Sequence, residues 1–302
     1  MPILNIRHLT RYKYRRPVAF GAHRMMFRPR EGSDQRVIAE RLDIHPHPVL
    51  SRTVRDQFGN SVTRVTFGER AAQLTFDSRI RVDHRPGCGA ADADEQVPLP
   101  GAPFAYGPDD HPGLAQSLTP AHADQGGAVA SWARRFAPAN GAGRVSESLM
   151  AMTHAIHEDF SYERRLFDSP RLPVETLDRR SGSCRDFAVL MIDAARRLGL
   201  AARFVSGYLC AEPGVVGGGH THAWAQVFLP SQGWLDFDPT NGIVDGAGLV
   251  RVAVAVDPRQ AVPLHGVWFG EAADYLGLEV SVDVAPEIEL ERLGGVKVAM
   301  AG

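Results

Sequence analysis

Cysteine is scarce in this chain of 302 residues, and lysine is nearly absent. The three cysteines, Cys88, Cys184 and Cys210, are an odd number at irregular spacing. That argues against a disulfide framework and fits a reducing compartment. Lys13 and Lys297 are the only lysines, and arginine supplies the remaining positive charge. We read this as compositional bias of the genome and not as a binding signal. Neither sign of charge is in excess: the formal net charge is −2 and the pI about 6.6. Nucleic acid and anionic membranes are therefore not expected as partners. No apolar run approaches the roughly 18 residues needed to span a bilayer. The opening residues, Met-Pro-Ile-Leu-Asn-Ile-Arg-His, lack the basic and apolar regions of a secretory signal. The expected location is the cytoplasm. Oligomeric state leaves no signature.

What is present is enough apolar residue, 44% of the chain, to bury a core in one large domain or two ordinary ones. Residues 1–85 read as β. Leu4, Ile6, His8, Thr10, Tyr12 and Tyr14 alternate with Asn5, Arg7, Arg11 and Lys13, the period of a half-buried strand. Residues 52–67 alternate on either side of Gln57-Phe58-Gly59-Asn60, which predicts a hairpin. A further strand is expected over 72–84. Several short strands with turn signals predict a sandwich-like module. Residues 86–127 are rich in Gly, Ala, Pro and Asp and mark a linker.

From residue 128 the pattern turns helical, and a core is expected over 128–245. Helices are predicted over 128–136, 145–160, 173–177 and 181–198, with Gly199 as the last one's C-terminal stop. Strands are predicted over 202–209, 220–229 and 233–238. Residues 246–302 read as a β-rich extension, with strands over 250–256 and 278–284.

The helix over 181–198 carries the chemistry. Phe187, Val189, Leu190, Met191, Ala194 and Leu198 give it a buried face, and Ser181 or Ser183 can cap it. Cys184 then falls in the first turn. Unpaired backbone N–H groups there stabilise a thiolate and can hold an oxyanion. Most cysteines are small buried hydrophobes. Cys88, in the linker, and Cys210, at a strand end, read that way. A thiolate nucleophile needs a base. In the strand over 220–229, His220, His222, Trp224, Gln226 and Phe228 share one face, opposite Ala223, Ala225, Val227 and Leu229. In the next strand Trp234, Asp236 and Asp238 share a face. A carboxylate at 238, before Pro239, could fix the imidazole's orientation, with Asp236 as runner-up. A helix-start Cys, then a His on a strand, then an Asp at the end of the next strand is the order of a papain-type triad.

Three segments resemble the bacterial transglutaminase-like superfamily. SGSCRDFAVLMIDAARRLGLAARFVSGYL is similar to the family's cysteine helix and following strand. HAWAQVFLPSQGWLDFDPTNG is similar to its His-Ala-Trp and Asp-Pro-Thr-Asn segments. Phe160-Ser161-Tyr162 resembles its Phe-x-Tyr segment. ILNIRHLTRYKYRRPVAFGAHRMMFRPR and DQFGN resemble the family's bacterial N-terminal region. The resemblance implies an α+β papain-like core, a helix-start Cys packed on an antiparallel sheet, behind a β-rich N-terminal domain. It implies Cys184, His222 and Asp238 as catalytic residues, and not His220 or Asp236, with no metal and no cofactor. Two positions depart from the pattern: Gln226, often Glu in relatives, and Ser183, often Val. Neither touches the triad.

The implied reaction is acyl transfer through a thioester, on a protein or peptide amide. Water as acceptor gives a cysteine peptidase or amidase; a lysine amine gives a crosslink. We favour hydrolysis, because uncontrolled crosslinking is hazardous in a cytoplasm. Trp224 is a candidate wall of the cleft, and Tyr162 and Asp186 are further candidates. Two rival readings are a zinc site of His220, His222, Cys184 and Asp238, and a binding scaffold without activity. The N-terminal module is assigned to substrate presentation or interaction.

Overall fold

The computed structural model describes residues 3–85, 104, 106–137, 143–165, 169–210, 215–246 and 248–287. The chain opens with β1 (Ile3–Met25), β2 (Gln35–His45), β3 (Leu50–Arg55), β4 (Ser61–Thr66) and β5 (Ala71–His84). The alternation of β1 is an alternation of burial: Leu4, Ile6, His8 and Thr10 are buried, and Asn5 and Arg7 are exposed. β3 and β4 pair as the expected hairpin. Gly59 turns it with φ +76°, a conformation a side chain would strain. β2 has no clean sequence signature. It lies at the sheet edge, and Gln35 is its only buried residue.

The remaining elements are α1 (His111–Leu118), α2 (Ala128–Arg134), α3 (Val145–Asp159), β6 (Ser161–Tyr162), α4 (Pro173–Arg179), β7 (Ser181–Gly182) and α5 (Cys184–Arg197). Then come β8 (Ala202–Leu209), β9 (His222–Leu229), β10 (Gly233–Asp238), β11 (Ile243–Val244), β12 (Leu249–Ala255), β13 (Leu264–Phe269) and β14 (Tyr275–Pro286). A second sheet runs β11-β10-β9-β8-β12, all antiparallel. Buried α5 packs on the face of β9 that carries Ala223, Ala225, Val227 and Leu229. Alanines at two of those positions let the helix approach the sheet closely. The architecture is the expected one: an α+β core, its cysteine helix on an antiparallel sheet, behind a β-rich module.

Two boundaries read from composition differ from the structure. The linker over 86–127 is not all linker. Its first part, with Cys88, lies outside the described residues. Its second part forms α1 and packs Tyr106 and Leu114 against Ala201. The Tyr106 hydroxyl donates to the Phe228 carbonyl at 2.8 Å and accepts from the Ala201 amide at 2.9 Å. Residues past 245 divide between both sheets instead of forming an extension. β12 completes the core sheet beside β8, while β13 and β14 return to β1.

The two sheets are tied by buried polar contacts. Asn60 donates to the Val254 carbonyl at 2.8 Å and accepts from its amide at 2.9 Å, as a strand partner would. Arg30 donates to Asn60 Oδ1 at 2.6 Å. The DQFGN segment is thus a latch onto β12. A second latch is Arg251, which pairs with Asp34 on the N-terminal side and with Asp236 at 2.7 Å on the core side.

Candidate active site

Cys184 is the first residue of α5, and Ser183 is the N-cap, with extended backbone. The carboxylate of Asp186 fixes this start. It accepts from the Ser183 amide at 2.7 Å, the Ser183 hydroxyl at 2.9 Å and the Arg171 amide at 2.7 Å. Arg165 pairs with it at 3.1 Å. An acidic residue at the third helical position satisfies backbone donors that the helix itself cannot. Sequence alone puts Asp186 among the cleft candidates. It is fully buried and does not line the cleft. Its part is to hold the turn that presents Cys184.

His222 is the first residue of β9 and Asp238 the last of β10, and both are buried. The imidazole Nε2 donates to Asp238 Oδ2 at 2.8 Å. Nδ1 is buried without a hydrogen-bond partner of ordinary geometry. Cys184 lines the same cleft as the imidazole and acts to raise its pKa. Burial lowers the pKa of His222, but Asp238 and then Cys184 outweigh it and hold it well above the ordinary imidazole value. Burial raises Asp238, and the charge and hydrogen bond of His222 outweigh that and hold it below the usual carboxylate range. Both shifts favour a protonated imidazole beside an ionised Asp238.

Asp238 has two further donors, the Thr240 amide at 3.0 Å and Asn241 Nδ2 at 2.8 Å. Asn241 also grips the loop before β9, accepting from the Val216 amide at 2.7 Å and donating to its carbonyl at 3.1 Å. That loop passes over the histidine. At Gly217, with φ +92°, a Cβ would stand 3.0 Å from His222 Nδ1. Asn241 closes the Asp-Pro-Thr-Asn segment, yet its part in holding the loop has no sequence signature, because Val216 lies two strands earlier in the chain.

Trp224 does not wall the cleft. It is fully buried, stacks on His222 with centroids 5.9 Å apart, and donates Nε1 to Asp236 at 2.7 Å. Its ring crosses β8 at Gly207, where a Cβ would meet the ring at 2.5 Å and also strike the Val250 carbonyl. It therefore backs the histidine from inside the core. Asp236 serves Trp224 and Arg251 and makes no contact with His222. Tyr162 lines the cleft. Burial, followed by the nearby Cys184, pushes its hydroxyl up to about 12. His220 accepts from the Arg164 guanidinium. Among the described residues no three or more His, Cys, Asp or Glu side chains converge as a metal-ligand set. Nε2 of His222 is committed to Asp238. Gln226 accepts from Arg203 at 2.9 Å, inside the sheet.

A cleft of about 420 Å³ opens at Cys184, lined also by His222, Tyr162 and Ser183. The N-terminal module contributes His8, Thr10 and Tyr12 from β1, and the returning chain contributes Leu278 and Val280 from β14. No described residue of 104–127 lines it. No helix among the described residues is long and apolar enough to cross a membrane.

Comparison with known proteins finds two matched regions. Residues 4–83 match the bacterial transglutaminase-like N-terminal region, and residues 131–239 match the transglutaminase-like superfamily. An uncharacterized protein of Mycobacterium tuberculosis is 33% identical over 301 residues, spanning 93% of this chain and 92% of the relative. A protein-glutamine gamma-glutamyltransferase of Pseudomonas aeruginosa is 31% identical over 153 residues, 48% of this chain and 19% of that protein. The crystal structure of a candidate cysteine protease from Cytophaga hutchinsonii superimposes with a TM-score of 0.67 at 20% identity, covering 94% of this chain and 91% of that one. Similarity over nearly the full length, with two matched regions in order, leads to one assignment: the chain belongs to the transglutaminase-like superfamily and carries the bacterial transglutaminase-like N-terminal region ahead of its core.

Proposed function

We propose that the protein is a cysteine-dependent acyltransferase acting on protein or peptide amides, with water as the usual acceptor. Cys184 is the nucleophile, His222 the acid and base, and Asp238 the group that orients His222. One observation carries the reading: the buried imidazole, bound through Nε2 to the Asp238 carboxylate at 2.8 Å, lines one cleft with the helix-start Cys184.

In the first step Cys184 Sγ bonds to the amide carbonyl carbon, and the C–N bond breaks. His222 passes its proton to the departing amine. Asp238 stabilises the imidazolium throughout and takes no proton. The backbone N–H groups at the start of α5 can face the carbonyl oxygen as charge develops on it. Tyr162, whose raised pKa keeps its hydroxyl protonated, is a further donor at the same cleft. In the second step water attacks the thioester, gives its proton to His222 and releases the acid.

A second reading replaces water with a lysine amine. The similarity to the Pseudomonas aeruginosa gamma-glutamyltransferase favours it. The burial of Cys184, a residue 8% exposed, favours water as the smaller acceptor for the thioester formed there.

The test is alkylation by iodoacetamide at neutral pH, read for each cysteine by peptide mass spectrometry. Cys184 is expected to react faster than Cys88 and Cys210 despite its burial. In His222→Ala that advantage should disappear while the fold, by circular dichroism, is kept. A Cys184 that is inert in the folded protein would leave a binding scaffold as the better reading.

A further inference from the structure

The charge of the cleft is not the charge of the protein. The chain is nearly neutral, yet no described residue lining the cleft is an aspartate or a glutamate, and four are arginines: Arg164, Arg165, Arg185 and Arg259. Two of them are compensated. Arg165 pairs with Asp186 at 3.1 Å, and Arg259 pairs with Asp257 at 2.5 Å. The other two have neutral partners. Arg185 donates to the Arg165 carbonyl at 2.5 Å, and Arg164 donates to the His220 imidazole. Neither has a carboxylate within ion-pair distance among the described residues.

These two positions flank the reacting groups. Arg185 follows Cys184 in the first turn of α5, and Arg164 lies two residues beyond Tyr162. Around them the lining is largely apolar, with Phe204, Val262, Leu278 and Val280. An apolar lining excludes water and strengthens the attraction of a guanidinium for a carboxylate. A guanidinium also matches a carboxylate in shape, two N–H groups to two oxygens. Surface arginines are ordinarily solvated or paired with a nearby acid. Two uncompensated ones beside a nucleophile, in a lining without described acids, leave a charge for the substrate to meet.

We propose that the cleft takes an amide bearing a carboxylate near the scissile bond, with Arg185 and Arg164 as specificity-determining residues that receive it. This deepens the acyl-transfer reading and rests on it. The carboxylate has two possible sources, an acidic side chain or a free C-terminus.

The experiment compares anionic iodoacetate with neutral iodoacetamide as alkylating agents of Cys184 in the full chain at low salt. Both reagents lose iodide to the same thiolate, and His222 is unchanged in the variants, so the change in their rate ratio on substitution isolates the charge of the two arginines. In Arg164→Gln/Arg185→Gln the ratio of iodoacetate to iodoacetamide rates should fall about fivefold or more, the factor of a charge-assisted contact. Arg164→Lys/Arg185→Lys should restore most of it. Protection against iodoacetamide then distinguishes the sources, using three peptides: N-acetyl-alanyl-glutamyl-alanine amide, N-acetyl-alanyl-glutaminyl-alanine acid and N-acetyl-alanyl-glutaminyl-alanine amide. Stronger protection by the first assigns a side-chain carboxylate, and by the second a terminal one. Equal protection by all three, or a ratio unchanged in the glutamine variant, overturns the proposal while the acyl-transfer reading stands. A Cys184 inert to both reagents overturns the acyl-transfer reading itself.

Discussion

Asp236 and Asp238 lie two residues apart on one face of one strand, and both are buried. Their surroundings nonetheless push them in opposite directions. At Asp236 burial dominates: contacts to Arg251, Trp224 and Gln226 do not offset it, and the carboxyl is pushed up. At Asp238 the charge and hydrogen bond of His222, helped by Asn241 and the Thr240 amide, outweigh burial, and the carboxyl is held down. The end of β10 at Asp236 faces the latch to Asp34 through Arg251; the end at Asp238 faces His222 and, through it, the cleft. Two carboxyls buried on one face shift in opposite directions because their neighbours over one strand repeat differ. The latch end serves cohesion, and the cleft end holds a charged pair for use.

Substitution at the two positions should separate these ends. All three neighbours of Asp238 donate hydrogen bonds. An asparagine there must turn its NH₂ group against at least one donor. Asp238→Asn is therefore expected to slow alkylation of Cys184 by about 10- to 100-fold, the worth of a lost charge-assisted bond at a buried site. Asp236→Asn should change that rate by less than about threefold. Its cost falls on stability instead, about 1–2 kcal/mol, because the side-chain oxygen still accepts from Trp224 and Arg251 keeps Asp34. Asp236→Ala, which leaves Arg251 and the indole N–H short of a partner, should cost about 3–5 kcal/mol in urea unfolding. Equal rates for the two asparagine variants would erase the distinction between the ends.

The strands that hold these residues are legible in the sequence because each is short, alternating and closed by a turn residue. β8 and β10 have the bounds that their sequence pattern predicts. Cys184, His222 and Asp238 are legible as a set because they fall in three motif segments with fixed order, and the structure brings them together. Trp224 is ambiguous. Whether an aromatic on that face meets substrate or core depends on what β8 offers opposite it, and Gly207 makes room for the ring. Asp186, two residues after Cys184, is a cleft candidate in the sequence. One helical turn directs it toward the cap and not the cleft. The least legible feature is the second lining of the cleft. Tyr12 pairs with Leu278, and Thr10 with Val280. No local window reports a pairing between opposite ends of a chain.

Two histidines extend the same contrast across the cleft, and acid unfolding can measure it. His222 has a raised pKa, so its contribution to stability is complete below about pH 6.5 and is lost only as pH climbs through the raised value. His8, in β1, is the reverse. Burial, with a smaller push from His220, lowers it to about 3. The Tyr208 hydroxyl donates to the Phe27 carbonyl at 3.0 Å, so its oxygen accepts from His8 Nδ1 at 3.1 Å. Nε2 is then the acceptor for the Thr10 hydroxyl at 3.1 Å. Both nitrogens are used by the neutral ring, and a second proton has no acceptor prepared for it. Below about pH 6.5 the unfolded chain binds a proton that the folded chain refuses, so stability contributed by His8 falls as pH drops toward 3. The slope from one such group is at most about 1.4 kcal/mol per pH unit. Between pH 6 and 4.5 the wild-type protein should lose stability more steeply than His8→Gln, by nearly one bound proton, although the variant is less stable at pH 7.5. Urea unfolding midpoints at those pH values make the measurement. Identical slopes would mean that His8 takes up its proton within the fold, and that the lining contributed by the N-terminal module carries a charge in acid.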